Sequence, residues 1–346
     1  MSLININNLT KEELRSEMEK LNEKPFRANQ IFSWLQKGVT DFDAMKNLSE
    51  TLKSKLQNIF YIDTLRIEKV LESKEDGTKK YLFRLRDDYV IESVFMKYDH
   101  GNTVCISSQV GCNMGCKFCA STIGGCQRNL LASEMAEQMI RIQNHVGERI
   151  SNIVIMGSGE PLENFDQLMR FFNIIHDKDG LNIGLRNITI STCGLVPAML
   201  EFGRRMPQVN LAISLHAPHN AIRNKMMAIN KKYPVEAIIA AAKEYTAMTH
   251  RRITFEYVLI DGLNDSIEQA RELSSLLKNM LCHVNLIPLN DVEEFKYKGA
   301  SHKKVMMFKK ELERNNINVT IRREMGSDIN GACGQLRRRS RENRLN

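Results

Sequence analysis

The sequence has 346 residues, 42% of them hydrophobic, so it can bury a sizeable core in one large domain with an accessory domain, or in two domains. Its 49 basic and 41 acidic residues leave a net charge of +8, which favours a polyanionic partner, RNA or DNA. No run of 18 apolar residues occurs, and the first segment lacks the basic and apolar regions of a signal peptide. We therefore expect neither a membrane span nor secretion.

The eight cysteines are clustered along the chain. Five of them fall within 22 residues: Cys105, Cys112, Cys116, Cys119 and Cys126. A chain of this length does not need a disulfide framework, and clustered thiols in a reducing compartment are typical of metal or redox chemistry. We therefore expect a cytoplasmic protein with a metal or redox centre.

Residues 1–62 are predicted to form a small helical accessory domain, which is a candidate for RNA contact. Thr10 and Glu13 have the spacing of a capping box at the start of a helix. A second helix is predicted from Phe26 to a stop at Gly38, and a third at residues 49–56. Basic side chains on these helices suit RNA, but the polar face of an ordinary helix carries them too.

Residues 63–97 are predicted to form an antiparallel meander that links this domain to the rest of the chain. Strand patterns at 65–71, 80–85 and 90–96 surround a hairpin turn signal at Asp76-Gly77. Glu92 lies within the third, apolar strand, where a buried carboxylate needs a partner, a cavity or a shifted pKa. The strand period also allows Glu92 to face water, so both alternatives stay open.

Residues 98–327 alternate between short apolar strands and helical segments. This alternation predicts a parallel sheet with right-handed crossovers, and about six repeats indicate an α/β fold with a partial (β/α)6 barrel. The predicted strands are residues 103–109, 152–156, 187–191, 210–215, 252–260, 283–288 and 318–322. The predicted helices are residues 130–145, 165–176, 196–205, 234–249, 266–280 and 302–315.

The predicted strands end abruptly in polar or thiol-bearing segments. Five strand ends deliver such groups: the thiol loop, GSGEP at 157–161, STCG at 191–194, SLH at 214–216, and Asn290. The carboxyl ends of parallel strands meet at one edge of a sheet, where chemistry is usually located. We therefore expect a single site on that face.

The thiol loop has the spacing Cys112-x3-Cys116-x2-Cys119. Three thiols this close can converge on one soft metal centre. An iron–sulfur cluster held by three thiolates leaves one iron open for a small molecule. A structural zinc ion instead needs a fourth ligand, for which Cys126 and Cys105 are the candidates.

Residues 328–346 form the last predicted segment. Its final eleven residues carry five arginines and one glutamate, a net +4 that is half of the charge excess. A basic tail suits an RNA partner, and a solvated terminus is the plain alternative.

These motifs carry a resemblance to a known family. The thiol spacing after the first barrel strand and the GSGEP turn after the second resemble the radical S-adenosylmethionine (SAM) superfamily. Within it, the chain resembles the RlmN/Cfr family of RNA methyltransferases over almost its whole length. The matching segments are GCNMGCKFCAST at 111–122, SLHA at 214–217, VNLIP at 284–288 and ACGQL at 332–336.

The resemblance implies a [4Fe-4S] cluster held by Cys112, Cys116 and Cys119. Its open iron binds SAM, and an electron from the cluster cleaves SAM to a 5′-deoxyadenosyl radical. Two SAM molecules are used per turnover. The implied SAM contacts are Gly159, Glu160, Ser191, Ser214, Leu215, His216 and Asn290.

The resemblance also implies methylation of adenine C2 in the peptidyl-transferase region of 23S rRNA, and next to the anticodon in tRNA. Cys333 takes a methyl group from one SAM, the radical removes a hydrogen atom from it, and the carbon radical adds to C2. Cys105 then attacks the Cys333 sulfur, which releases the RNA and leaves a disulfide bond. Glu92 matches the catalytic acid/base. An electron donor such as flavodoxin, no membrane contact and a monomer are expected.

Three positions depart from the family pattern. Ser158 stands where Met is expected, Cys193 where Ser is usual, and Asn330-Gly331 where Asp-Ala is common; the last bears on how the Cys333 loop is held. Cys193 and Cys282 are expected to be buried free thiols. The alternatives are a Cfr-like enzyme that methylates adenine C8 and a zinc-bearing RNA-binding module without catalysis.

Overall fold

The protein is described here from a computed structural model, over residues 3–290, 296–332 and 334–336. The described chain is built on one mixed sheet of ten strands with helices packed against it. The predicted catalytic Cys333 and the arginine tail, residues 337–346, lie outside the described residues.

The N-terminal residues form three helices between two short strands that pair in parallel. These elements are β1 (Ile4–Asn5), α1 (Lys11–Lys20), α2 (Phe26–Gln36), α3 (Glu50–Ile59) and β2 (Phe60–Tyr61). The capping box of α1 is confirmed, since Thr10 and Glu13 exchange side-chain and backbone hydrogen bonds. Gly38 follows the end of α2 in the left-handed region at φ 80°, as predicted for a helix stop.

Three antiparallel strands come next: β3 (Arg66–Glu72), β4 (Lys79–Arg84) and β5 (Val90–Met96). The predicted meander is confirmed, and its turn contains Asp76-Gly77, with Gly77 at φ 71°. All seven residues of β5 are buried, so the alternative in which Glu92 faces water is wrong.

The remaining elements alternate as predicted. They are β6 (Thr103–Cys105), β7 (Gln109–Val110), β8 (Arg128–Asn129), α4 (Ala132–Val146), β9 (Asn152–Ile155), α5 (Phe165–His176), β10 (Ile188–Thr192), α6 (Val196–Arg205), β11 (Asn210–Ser214), α7 (Asn220–Met226), α8 (Val235–Thr249), β12 (Ile253–Leu259), α9 (Ile267–Leu277), β13 (Cys282–Pro288), α10 (His302–Arg314) and β14 (Val319–Ile321). The short helix α7 was not predicted, because seven residues are too few to show a helical period.

The ten strands lie in the order β14-β13-β12-β11-β10-β9-β6-β5-β4-β3. The seven strands from β14 to β6 are parallel neighbours, and helices connect them in six β/α units. This confirms the predicted partial (β/α)6 barrel. Strand β5 pairs antiparallel with β6, so the meander extends the barrel sheet directly.

The helices cover the sheet with amphipathic faces. In α5, for example, Leu168, Phe171, Phe172 and Ile175 are buried in the core, and polar residues lie between them. Within the described ranges, no helix is both long enough and apolar enough to cross a membrane.

Candidate active site at the carboxyl ends of the barrel strands

The thiol loop lies between β7 and β8 at the carboxyl end of the sheet. Cys112 and Cys116 are buried, Cys119 is half-buried, and all three line one cavity. Gly111 has φ 83°, and a Cβ there would come within 2.0 Å of the Gly125 carbonyl oxygen, so only glycine allows the tight return of this loop. The Thr122 hydroxyl donates to the Cys116 and Cys119 carbonyls at 3.1 and 2.9 Å, which holds the end of the loop.

The donor set fits a cluster better than a zinc ion. No group of three or more His, Cys, Asp or Glu residues in the described ranges can hold one metal ion. Zinc requires four ligands around a single point, whereas the thiolates of a cluster bind different irons. Cys126 and Cys105, the predicted fourth zinc ligands, do not line this cavity. Burial raises the pKa of Cys112, so metal binding has to displace a proton there.

The GSGEP turn follows β9 and is held by backbone contacts to the segment before the thiol loop. Gly159 has φ 116°, and a Cβ there would lie 2.6 Å from the Ser108 hydroxyl oxygen, so the position requires glycine. The Ser158 carbonyl accepts hydrogen bonds from Ser108 N and Gln109 N at 2.9 and 3.1 Å. These bonds do not involve the Ser158 side chain, so serine in place of methionine leaves the turn intact.

Glu160 is the acidic group of this turn and lines the cavity. Its two carboxylate oxygens accept hydrogen bonds from Leu162 N at 3.1 Å and Cys193 N at 2.7 Å. Burial nevertheless raises the pKa of Glu160 to about 7. Burial thus disfavours the charged form of this carboxylate, and a ligand that brings a positive charge into the cavity would stabilise it.

The ends of β10, β11 and β13 contribute the other predicted SAM contacts. The Ser191 and Ser214 hydroxyl oxygens lie 3.3 Å apart, and both side chains line the cavity, as do His216 and Asn290. Leu215 differs, because its side chain is packed in the hydrophobic core. The Leu215 side chain therefore points away from the cavity, and any contact from this residue to SAM has to come from its backbone.

His216 is held in one orientation. Its Nδ1 accepts a hydrogen bond from Val258 N at 3.0 Å, and its ring contacts Phe118 edge-on at 4.9 Å between centroids. Burial lowers the pKa of His216 to about 3, so the imidazole is neutral and its proton lies on Nε2. The backbone is left-handed there, at φ 59°.

Glu92 forms a buried ion pair with Lys80, at 3.0 Å between Oε2 and Nζ, and both side chains are at most 2% exposed. Lys80 Nζ also donates to the Asn330 carbonyl at 2.9 Å. Glu92, Val94 and Met96 are alternate residues of β5, so their side chains lie on the same face of the strand. Val94 and Met96 line a cavity that contains Cys105. The acid is thus tied to the loop that leads to the predicted catalytic cysteine.

Cys105, at the end of β6, is a buried cysteine. It packs with Met325 and Leu336, which lie on either side of position 333 in sequence. Gly334 O accepts from Ala120 N at 2.7 Å, and Leu336 O accepts from the Ser121 hydroxyl at 2.7 Å. The residues flanking Cys333 are therefore bound directly to the end of the thiol loop and packed against Cys105.

Three residues of the site were missed by the sequence interpretation. Cys193, expected to be a plain buried thiol, lines the cofactor cavity with its Sγ 3.9 Å from Cys116 Sγ. Glu256 lines the same cavity, and its only signal was an acid within the apolar strand ITFEYVL. Lys80 gave a similar signal, as a basic residue within an apolar strand beside Glu92.

The site geometry agrees with comparisons to known families. A sequence model of the radical SAM superfamily matches residues 106–274, which include the thiol loop and most barrel strands. A second model, described as the ribosomal RNA large subunit methyltransferase N-terminal domain, matches residues 4–62.

Relatives match over nearly the full length. The chain is 52% identical over 335 residues to a protein of Clostridium novyi (strain NT), covering 96% of this chain and 98% of the relative. It is 52% identical over 343 residues to a protein of Alkaliphilus oremlandii (strain OhILAs), covering 99% and 100%. Both carry the name "Probable dual-specificity RNA methyltransferase RlmN".

The fold agrees with a solved structure. A crystal structure of a radical SAM methyltransferase from Sphaerobacter thermophilus superposes with a TM-score of 0.92 at 42% identity, covering 96% of this chain and 99% of that one. The superfamily fold implies a [4Fe-4S] cluster and SAM as the cofactors of this site. From its sequence, its fold and the residues of its site, the chain belongs to the RlmN family of radical SAM RNA methyltransferases.

Proposed function

We propose that this protein methylates C2 of adenine in RNA, in the peptidyl-transferase region of 23S rRNA and next to the anticodon in tRNA. One observation carries the proposal: at the carboxyl end of the barrel, the end of the thiol loop binds Gly334 and Leu336, and Cys105 packs against Leu336 and Met325. This arrangement supports a reaction in which the cofactor centre and Cys105 act together with the segment that carries Cys333.

The chain offers a matched set of groups for the two cofactors. Cys112, Cys116 and Cys119 are the proposed cluster ligands. The Glu160 carboxylate is suited to the SAM amino group, while Ser191, Ser214, His216, Asn290 and the backbone of Gly159 and Leu215 complete its pocket. When bound, cluster and SAM supply a carbon-centred radical, which adenine C2 requires because it is too electron-poor to attack a methyl sulfonium.

The protein thiols perform the transfer itself. Cys333 accepts a methyl group from one SAM by displacement, and this S-methyl group loses a hydrogen atom to the radical from a second SAM. The resulting carbon radical bonds to C2. The C2 hydrogen then leaves as a proton, with Glu92 as the proposed acid/base, and the remaining unpaired electron would return to the oxidised cluster that had supplied one electron to SAM. Attack of the Cys105 thiolate on the Cys333 sulfur cleaves the bond between that sulfur and the new carbon, which takes up a proton to become the methyl group. RNA is released, and a Cys105–Cys333 disulfide remains that an external reductant must reopen.

Product analysis tests the target atom. The anaerobically reconstituted protein is incubated with SAM, dithionite and either a 23S rRNA fragment or tRNA, and the digested nucleosides are compared with 2-methyladenosine and 8-methyladenosine. We expect only 2-methyladenosine, and 8-methyladenosine alone would establish the Cfr-like alternative. Metal analysis tests the class: about four irons with sulfide are expected, and one zinc without iron would establish a non-catalytic RNA-binding module.

Adduct trapping tests the thiol roles. In Cys105→Ala, RNA should remain covalently attached to the protein on a denaturing gel, because the thiol that releases it is gone. Cys126→Ala is the matched control, since Cys126 lines neither cavity of the site. Normal turnover of the Cys105 variant without an adduct would remove Cys105 from the mechanism.

We further propose that four segments of the chain have different roles. Residues 1–62 act as an accessory domain that contacts RNA, residues 63–97 join it to the core, residues 98–327 generate the radical, and residues 328–346 carry Cys333 and the basic tail. The proposed setting is the cytoplasm, with a monomer that receives electrons from a donor such as flavodoxin.

A further inference from the structure

A second cavity, of about 310 Å³, opens at the opposite end of the barrel from the thiol loop. Its wall is made by the first residues of consecutive strands, including Thr103 of β6, Asn152 of β9 and Asn210 of β11. We call this opening the amino-end mouth. Because parallel strands begin together at one edge, the mouth lies at the amino end of the barrel interior.

The amino-end mouth adjoins the reaction site. The mouth and the cavity that contains Cys105 share Met96, Tyr98 and Arg322 in their walls. The Cys105 cavity in turn shares Arg322 and Asn290 with the cofactor cavity. The three cavities therefore adjoin one another along the barrel interior, with the Cys105 cavity in the middle.

The wall of the mouth is basic and aromatic. The rings of Tyr98 and His100 stack with centroids 5.0 Å apart and planes 15° apart. Arg186 and Arg322 also line the mouth, and no carboxylate is present among the described residues that line it. Stacked rings beside guanidinium groups are the usual means of binding single-stranded RNA, through bases and phosphates respectively.

Two buried polar atoms of the mouth lack partners in the described structure. The Thr103 hydroxyl oxygen and Asn152 Nδ2 accept or donate no hydrogen bond there, although Thr103 is only 5% exposed. Burying polar atoms without hydrogen bonds is energetically unfavourable unless a ligand or a water molecule bonds to them. A ribose hydroxyl or a base edge offers both a donor and an acceptor at this depth.

The geometry points to the amino-end mouth as the entrance for the RNA substrate, binding the nucleotides that flank the target adenine. This inference deepens the proposed function and rests on it. The target base, once out of its stack, passes the ring pair Tyr98–His100 toward Cys105. Arg186, which is exposed, neutralises a phosphate that remains at the rim.

RNA binding to mouth variants tests this entrance. The probe is a fluorescently labelled RNA stem-loop whose single-stranded loop contains the target adenine. It is titrated with the variants Arg186→Glu, His100→Ala and Tyr98→Ala. Each variant should raise the Kd about tenfold, which corresponds to one lost stack or one lost phosphate contact. Arg186→Glu should also flatten the dependence of log Kd on log salt concentration by about one unit.

The control is Arg204→Glu on α6, where the arginine side chain is 55% exposed, pairs with Glu201 and lies outside the mouth. Methyl loading of Cys333, followed by mass spectrometry, needs no RNA and should be unchanged in Arg186→Glu and His100→Ala, whose side chains line the mouth but not the Cys105 cavity. This measurement separates a folding defect from an RNA defect. Binding of RNA equal to wild type in all three mouth variants would overturn the entrance.

Crosslinking gives a second, independent test. RNA with 4-thiouridine beside the target adenine should crosslink to peptides that contain residues 96–103 or 186–189. Crosslinks confined to residues 1–62 would overturn the inference while leaving the methylation chemistry untouched. Conversely, RNA that crosslinks at the mouth but is never methylated would refute the proposed function, while the mouth would still be supported as an RNA-binding site.

Discussion

Three carboxylates are buried at the site, and each is stabilised in a different way. Glu92 has the Lys80 ammonium, Glu160 has two backbone N–H groups, and Glu256 has the Asn285 amide at 2.9 Å. Burial raises the pKa of both Glu160 and Glu256. Glu92 is paired with the Lys80 ammonium and Glu256 is near the positive charge of Arg322, whereas Glu160 is held by backbone N–H groups and is the carboxylate best suited to a cationic ligand.

The Glu160 carboxyl makes the cofactor-free protein sensitive to pH. Its ordinary pKa is 4.5 and its folded pKa is about 7, so between these values the unfolded chain has lost a proton that the folded chain retains. With respect to this group, the free energy of unfolding is therefore highest below pH 4.5, and it decreases by up to about 3 kcal/mol as the pH rises to 7. Glu160→Gln removes this loss.

Urea unfolding of the cofactor-free protein at several pH values measures the effect. The free energy of unfolding of Glu160→Gln, relative to wild type, should rise between pH 4.5 and 7 and then level off. The pH dependence is the test, because the variant also changes two hydrogen bonds at every pH. A difference that is constant across this range would place the pKa of Glu160 at its ordinary value.

The ion pair of Lys80 and Glu92 gives a second prediction. Lys80→Met leaves a buried carboxylate without its ammonium and should lower the free energy of unfolding by about 3 kcal/mol. Methylation should be lost as well, because Lys80 also binds the Asn330 carbonyl of the Cys333 loop. Urea unfolding and single-turnover methylation measure the two effects.

A double variant separates stability from catalysis. Lys80→Met with Glu92→Gln removes both charges and should regain most of the stability without regaining methylation. The neighbouring Lys79–Glu72 pair is in contact with solvent, with Lys79 half-buried and Glu72 exposed, so Lys79→Met should change the free energy of unfolding by less than about 1 kcal/mol. Recovery of methylation in the double variant would show that neither charge is needed for the reaction.

At the scale of elements, helix α7 organises the cofactor pocket through one fully buried side chain. The Arg223 guanidinium donates to the carbonyls of Cys193, Ser214 and Leu215 at 2.8, 3.0 and 3.0 Å, and to the Asn230 side chain at 2.9 Å. Burial lowers the pKa of Arg223, so charge alone does not explain its position. Its planar group connects the ends of β10 and β11, which carry the predicted SAM contacts.

We therefore expect Arg223→Lys to weaken SAM binding by about tenfold or more. A lysine has a single nitrogen and cannot reach three carbonyls that fan out around a planar fork. Calorimetric titration of SAM into the anaerobically reconstituted variant measures the affinity, and circular dichroism reports whether the fold remains. Arg204→Lys, on the exposed face of α6, is the matched control. Unchanged affinity would limit Arg223 to a packing role.

Local patterns predicted most elements, while the contacts between elements needed the structure. Helices α5 and α6 begin and end at the predicted residues, because their apolar periods are strong. The joining of β5 to β6 could not be predicted, since strand pairing depends on partners distant in sequence. The same holds for Cys193 and Arg223, whose side-chain directions depend on packing. The site residues after strand ends were predictable because parallel strands bring their ends together.

At the scale of the whole molecule, two distant parts of the chain hold the Cys333 loop. The turn between β3 and β4 binds one side, since Gly326 N donates to Asp76 and Lys74 N donates to Asp328, at 2.9 and 3.1 Å. Asn330, in the left-handed region at φ 51°, presents its carbonyl to Lys80. Asparagine tolerates this conformation, so its presence in place of aspartate is compatible with the loop.

The N-terminal unit is fixed to the same body. Lys11 pairs with Asp177 and Asp179 beyond α5 at 2.7 and 3.0 Å, and Arg170 of α5 pairs with Glu13 of α1. Both contacts tie the unit to the barrel wall through α5 and the residues that follow it. The antiparallel extension carries Lys80 and Glu92 and contacts the Cys333 loop through Lys80 and Asp76.

The turn contact gives the last prediction. Asp76→Ala removes the acceptor for Gly326 N and should loosen the Cys333 loop without unfolding the barrel. Iodoacetamide should then alkylate Cys333 faster, and methylation should slow, by about tenfold in each case if the lost bond is worth about 1.4 kcal/mol. Peptide mass spectrometry of the fragment that contains Cys333 measures the alkylation rate.

The control is Glu75→Ala, an exposed neighbour in the same turn whose side chain makes no hydrogen bond or ion pair within the described residues. It should leave both rates at the wild-type value, and both variants should melt within a few degrees of wild type. Faster alkylation together with unchanged methylation would mean that loop order does not limit the reaction. An unchanged alkylation rate in Asp76→Ala would mean that the remaining contacts, from Lys74 to Asp328, from Lys80 to Asn330 and from the thiol loop through Ala120 and Ser121, are enough to hold the cysteine segment in place.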